Sequence, residues 1–306
     1  MTRLDLTTFT DKRSDAWSGF IVAMNLFLVL MPLYVSAWLG FGLYLLPAWV
    51  WCGVGMNGLL NLMHECAHSH VFRGRAGSMF LGRWVLGPLA LADFDAYQKR
   101  HWIHHRRLGE GDDPKYVYRV NVRGRRFLSF TVRCVCVWEA VKKFSGQAIS
   151  ANREGGGSTL WPRLWAMRVL LVQSLLAGSI LWVATDGGGR PLGEGLLTAS
   201  AVYGGVYLYG LASLTVWVAG LRAIAEHQIT GDQAVTQKDA ALRNFRPGRL
   251  LSWLLGSYGF VQHATHHYEP AIPYYRLPDA TAVLARTNAS FSPIHTYGNV
   301  LAAAIC

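Results

Sequence analysis

Nine of the eleven histidines in this 306-residue sequence fall in four places: His64 and His68; His101, His104 and His105; His227; and His263, His266 and His267. Residues three and four apart on a helix share a face, with about 5–6 Å between Cβ atoms, which is ligand spacing for one metal. The spacing H-x-x-H-H occurs twice, and His64 and His68 form an i,i+4 pair. Nine imidazoles exceed one ion's needs, since zinc takes four ligands and a catalytic zinc three from protein. Two metals, at roughly four or five ligands each, use the set economically. Imidazole suits iron, copper, nickel or zinc, so ligand type alone does not name the metal. The stretch His64-Glu65-Cys66-Ala67-His68 also spells the zinc-protease motif, with Glu65 as candidate general base. That rival, an intramembrane zinc metalloprotease using His64, Glu65 and His68, leaves both H-x-x-H-H clusters without a role.

The elements that must position these residues read as membrane helices. The composition is 52% hydrophobic and 15% charged, against about 25% charged in a typical soluble domain. Twelve tryptophans and thirteen tyrosines suit a chain with two membrane–water interfaces. Ala16–Met63 is an uncharged run of 48 residues. As helix it would be about 72 Å long, against about 30 Å for a bilayer core. It fits two spans, 17–38 and 42–63, turning near Gly40 and Gly42, with Pro32 and Pro47 tolerated inside. A third span is expected over 169–185, ended by Asp186-Gly-Gly-Gly-Arg190, and a fourth over 197–221, with Arg222 and Glu226 marking its exit. The apolar stretch 79–92 is too short to cross and reads as interfacial or re-entrant; 127–138, broken by Arg133, reads as interfacial. Gly155-Gly156-Gly157-Ser158 reads as a flexible loop.

The expected fold is therefore all-α: one polytopic domain over 1–306, two transmembrane hairpins, and a helical cap from 64–168 and 222–306 that holds a histidine-rich two-metal site. The pair His64/His68 and the single His227 each end an even-numbered span, so they reach the same membrane face. With these spans, 28 of the 29 Lys and Arg residues lie on that face and Arg190 alone on the other. The positive-inside rule makes it the cytoplasmic face and puts both termini there. The formal charge of +11 thus needs no nucleic-acid partner. Spans free of histidine argue against a metal transporter, which needs polar ligands at mid-membrane. The five cysteines form no C-x-x-C pair and read as reduced thiols. The N-terminus is too polar for a cleaved signal peptide, so the first span reads as retained.

The order HECAH (64–68), HWIHH (101–105), AEH (225–227) and HATHH (263–267) resembles the integral-membrane fatty acid desaturase superfamily. HECAHSHVF is similar to the family's first box with its trailing residues, GDDP (111–114) to the acidic residues after the second, and HHYEPAIPYYRLP (266–278) to the third box and its proline-punctuated tail. The resemblance covers about residues 20–280. It implies a membrane-embedded di-iron centre that activates O2 and removes hydrogen from an unactivated C–H bond. It also implies that His64, His68, His101, His104, His105, His227, His263, His266 and His267 are the iron ligands. The choice of iron comes from the resemblance, and the chemistry agrees, because zinc has no redox function.

Outer carboxylates orient metal-binding imidazoles, and Glu65, Asp112, Asp113, Glu226 and Glu269 are the candidates by sequence proximity. His70 lies outside the i,i+4 pattern and reads as a polar surface residue. His295 reads as unrelated, and Cys66 as facing away from the His64/His68 stripe. The spacing of the first and third boxes looks more like acyl-lipid desaturases and their carotenoid-oxidising relatives than acyl-CoA desaturases. The resemblance implies desaturation of a lipid-linked fatty acyl chain; the alternative is hydroxylation or ketolation of an apolar substrate such as a lipid or carotenoid. The chain has no His-Pro-Gly-Gly, no C-x-x-C pair and no G-x-G-x-x-G loop. Electrons are expected from a separate ferredoxin, rubredoxin or cytochrome with its reductase. The basic residues Arg106, Arg107, Arg123, Arg125 and Arg126 suit an acidic carrier or anionic membrane lipids.

Overall fold

A computed structural model describes residues 6–114, 122–143, 160–227, 242–246, 248 and 250–306. The loop expected at 155–158 lies outside the described residues. The architecture is all-helical, and the described residues contain no strand beyond one isolated bridge between Phe245 and His295.

Four helices among the described residues are long and apolar enough to cross a membrane: Asp15–Leu39, Leu45–Ala67, Arg163–Gly187 and Leu192–His227. They correspond to the four expected spans. The first, α1 (Asp15–Leu39), starts at Ser14, whose side chain accepts from the Trp17 N–H. It ends at Gly40, whose φ of 94° only a residue without Cβ adopts easily. The hairpin partner is α2 (Leu45–Ala67). Arg190, the one cation expected on the far side, donates to the carbonyls of Ala37 (3.1 Å) and Trp38 (2.8 Å) at the end of α1. A cation belongs at a helix C-terminus, where the last carbonyls concentrate negative charge. Leu33, Cys52, Met56, Ile180, Ala184, Val202 and Val206, drawn from all four spans, fill the core between them, while Phe27, Trp38, Leu170, Leu175, Trp182 and Leu197 stay exposed as a lipid-facing surface.

The segment after α2 folds back among the spans. Helix α3 (Arg75–Leu81) runs through a π-helical turn, Gly82–Leu86, into Gly87–Leu89, and Met79, Leu81, Leu86 and Leu89 join the core between the spans. Gln173 donates to the Pro88 carbonyl (2.8 Å) and Tyr207 to that of Leu89 (2.5 Å), so the later spans hold this turn by its main chain. Of the two readings for 79–92, the re-entrant one fits. Asp93 then caps α4 (Phe94–Arg107), accepting from the N–H groups of Asp95 and Ala96.

The next helix, α5 (Arg125–Val135), covers most of the stretch 127–138 that was expected to be interfacial. It runs antiparallel along the last span: Phe130 packs on Gly220, where a Cβ would meet the ring at 2.5 Å, Trp217 donates to Thr131 Oγ1 (3.1 Å), and Tyr209 donates to the Val135 carbonyl (3.0 Å). The opposite face, Leu128, Val132 and Val135, is exposed.

The third span, α6 (Leu160–Trp182), continues through a π turn at Val183–Gly187. The fourth, α7 (Leu192–His227), carries two π segments, Ala201–Leu208 and Leu211–Thr215. At 36 residues the helix runs on past Leu221, where the membrane span is expected to end. A helix that long measures about 50 Å, well beyond the roughly 30 Å bilayer core. Arg222 and Glu226 do not end it because each is partnered: Arg222 Nε lies 3.5 Å from Glu226 Oε1, one helical turn away, and the Arg222 guanidinium sits 4.2 Å over the Phe260 ring.

The remaining chain caps this end. It comprises α8 (Leu251–Leu255), α9 (His263–Tyr268), α10 (Leu277–Thr287) and α11 (Tyr297–Ile305). Leu221 and Ile224 of α7 pack with Leu255, Phe245, Tyr297 and Val300. Leu6 packs with Ile272, Leu277 and Leu284, so the N-terminal segment also covers this end.

Candidate metal centre

The histidines are carried by the last turn of α2, the second half of α4, the last residue of α7 and most of α9. His68 is the residue that caps α2, so the first motif completes the membrane helix rather than following it. Helix α9 is held by polar groups that motif reading misses. Asn61 of α2 donates to Ser257 Oγ (2.8 Å) and Asn57 to the Leu254 carbonyl (2.9 Å), fixing the loop that leads to α9. Buried Asn244 accepts from the Thr265 N–H (3.1 Å) and donates to Thr265 Oγ1 (3.0 Å), within α9 itself. A sequence signal existed for α2: two asparagines four apart inside an otherwise apolar span need partners.

The nine rings sort into two groups. His64, His68, His101, His105 and His266 can place one nitrogen each within 4.8 Å of all the others. His104, His227 and His267 do the same, and His227 is shared with His263 and Glu226 in a third set. Both H-x-x-H-H motifs are split. The i,i+4 pair His101/His105 enters the first group and His104 the second, whereas His266 enters the first and His263 and His267 enter the two sets that share His227. Helix geometry accounts for this: positions i and i+4 differ by about 40° around the axis, while i+3 and i+4 differ by about 100°. Each motif therefore turns its first and last rings to one side and its middle ring to the other.

The approaches are close. His68 Nε2 lies 2.7 Å from His101 Nε2, His105 Nε2 3.0 Å from His101 Nε2, and His263 Nε2 3.1 Å from His227 Nε2. Two nitrogens bound to one ion at about 2.1 Å stand roughly 3 Å apart, so this spacing fits a shared cation. His64, His68, His101, His104, His227, His263 and His266 are buried. Both ring nitrogens of His267 are buried and lack a hydrogen-bond partner among the described residues. Burial and the neighbouring rings of His105, His263, His104 and His227 hold the His267 pKa well below its ordinary value. A neutral imidazole is the form a metal binds. The donor set fits a metal pair.

Of the five candidate carboxylates, the geometry separates three from two. Glu65 Oε1 accepts at His64 Nδ1 (2.9 Å), and both Asp113 oxygens lie against His104 Nδ1 (2.9 and 3.0 Å). Glu226 lies against His263, Oε2 to Nε2 at 3.8 Å. Asp112 does not join them: its side chain is 62% exposed and lies 3.7 Å from Arg107 Nε, because consecutive residues of this turn point apart and only Asp113 points inward. Glu269 ends α9 half-buried and belongs to neither group of rings.

His70 corrects an expectation. It is buried, with Nδ1 3.4 Å from Glu65 Oε2 and its ring stacked beside His68 at 5.4 Å. The chain turns back after α2 through Ser69, at φ 62°, and the His70 N–H donates to the Glu65 carbonyl (2.9 Å), which folds the ring inward. Cys66 is buried and outside the groups, and His295 lies half-buried in its bridge with Phe245, as their separate readings expected.

An all-helical membrane protein with a buried, histidine-lined site for metal is the class this architecture defines. The chain belongs to the fatty acid desaturase family, whose profile matches residues 41–297, more than four-fifths of the chain and every histidine of both groups. No individual curated protein matches it. Membership makes it an oxidoreductase of desaturase or hydroxylase type with an apolar lipid substrate. The metalloprotease alternative falls with it, and on geometry too: the Glu65 carboxylate sits on the Nδ1 side of His64 and beside His70, the position of an orienting group rather than of a base facing a bound water.

Proposed function

We propose that the protein is an O2-dependent desaturase of lipid-linked fatty acyl chains, working as one domain with two irons held by the nine histidines. The observation that carries this reading is the convergence of buried imidazoles from both H-x-x-H-H motifs into two adjoining groups. His64, His68, His101, His105 and His266 would hold one iron, and His104, His227, His263 and His267 the other. Iron supplies the redox chemistry with O2 that breaks an unactivated C–H bond, which zinc does not offer.

The chain's own groups set up that chemistry. Glu65 and Asp113 accept the Nδ1 protons of His64 and His104, which fixes each tautomer so that Nε2 is the nitrogen offered to a metal. Helices α4 and α9, packed against the end of α2, keep water from the rings. The active site and both termini are assigned to the cytoplasmic side, in line with the charge asymmetry. There a separate ferredoxin, rubredoxin or cytochrome brings electrons.

The test is metal analysis of the purified chain together with lipid profiling of cells that express it with a matched reductase. Close to two irons and new double bonds are expected. Stoichiometric zinc without iron-dependent turnover would overturn the di-iron reading, and new hydroxyl or keto products would replace desaturation by the alternative oxidation.

A further inference from the structure

Three carboxylates touch the histidine groups, and they do so from opposite sides of the rings. Glu65 and Asp113 meet Nδ1 of His64 and His104, the nitrogens turned away from the converging Nε2 atoms. Glu226 instead meets His263 at Nε2, the same nitrogen that lies 3.1 Å from His227 Nε2. We infer that Glu226 is itself a metal ligand, a fifth donor to the group formed by His104, His227, His263 and His267.

Four observations support this beyond the sidedness. Glu226, His227 and His263 can bring one donor atom each within 4.8 Å of one another, the same criterion that gathers the imidazoles. The 3.8 Å between Glu226 Oε2 and His263 Nε2 is too long for a hydrogen bond. It still lies within the roughly 4 Å that two ligands can span across one ion at about 2.0–2.1 Å each. The other oxygen, Oε1, faces Arg222 Nε at 3.5 Å, one helical turn away, while Oε2 lies on the side of the rings. The side chain is 3% exposed, and a carboxylate that deep requires a cation close by.

The consequence is a pair of sites alike in donor number and unlike in charge. The first would have five imidazoles, the second four and a carboxylate. An anionic oxygen stabilises the higher oxidation state of the iron it binds, so the two irons would not be equivalent toward electrons.

This rests on the two-metal reading above, and the experiment separates the two. The full-length protein is purified in detergent after growth on 57Fe, and iron content and Mössbauer spectra are recorded for wild type and Glu226→Gln. The wild type is expected to carry about two irons with two resolved doublets. Glu226→Gln is expected to lose one iron or shift one doublet, with the other unchanged. Both doublets unchanged overturns the inference and leaves the two-metal reading standing. Fewer than two metals in the wild type overturns both. If Glu226→Gln fails to accumulate or loses both irons, Glu226→His decides, because it keeps a donor at the position. Two irons with one shifted doublet supports ligation, and two unshifted doublets overturns it.

Discussion

His105 and His267 stack with ring centroids 4.2 Å apart and planes 24° from parallel, although they belong to different groups of converging imidazoles. The two groups are thus in contact through this ring pair, and His104–His105 and His266–His267, at 5.9 and 5.7 Å between centroids, also adjoin across the boundary.

The crossed partition of the two motifs makes a specific expectation. His266→Ala removes a ring from the first group and His104→Ala one from the second. Each variant should abolish turnover and retain about one iron, from opposite sites, since a metal keeps most of its ligands in the untouched group. Iron content and the surviving Mössbauer component check this. Turnover retained in either variant removes that histidine from the ligand set.

Asp112 and Asp113 are adjacent in sequence and should behave differently. Asp113→Asn replaces the acceptor on His104 Nδ1, and losing such a partner typically costs about 10–100-fold in metal affinity or activity. Asp112→Asn changes an exposed side chain beside Arg107 and should leave both within about twofold. Equal effects in metal titrations would sink the assignment of Asp113 as the orienting group.

Asn61→Ala should loosen the loop before α9 without touching any ring. It deletes the bond to Ser257 Oγ and leaves carbonyls of that loop buried, for about 1–3 kcal/mol. The melting temperature in detergent should fall by several degrees, and metal retention should fall with it. An unchanged melting temperature shows the loop is held by other contacts.

Removing the metals should destabilise the cap more than the spans. A chelator leaves nine inward-facing imidazoles without their cations, whereas the core between the spans is apolar and independent of them. Hydrogen exchange should rise in α4 and α9 and stay slow in α1 and α6. Uniform exchange across the chain with and without chelator would count against a metal role for the cluster.

Much of this was legible in the residues. Histidine spacing survives folding because helix periodicity is rigid, and spans survive because uncharged runs have no other stable place. What was not legible depended on pairing across the fold. Arg222 and Glu226 mark the expected membrane exit, but that α7 carries on as helix to His227, with these two side chains in mutual contact and Arg222 over the Phe260 ring, depends on partners the sequence does not show. His70 looked like a surface residue until the turn at Ser69 brought it to Glu65. The split of each H-x-x-H-H motif between groups also needs the second helix, since spacing tells which rings share a face but not what that face meets.

The two π segments of α7 bear on how that span can change. A π turn takes up one more residue than an α turn, so each one offsets the phase of everything after it by about 100°. Both lie upstream of Arg222, Glu226 and His227. The compass bearing of these three side chains is therefore written in the number of residues that precede them, not only in their identities. Losing a single residue from Ala201–Leu208 would leave the span long enough for a bilayer and turn the carboxylate and the imidazole away together.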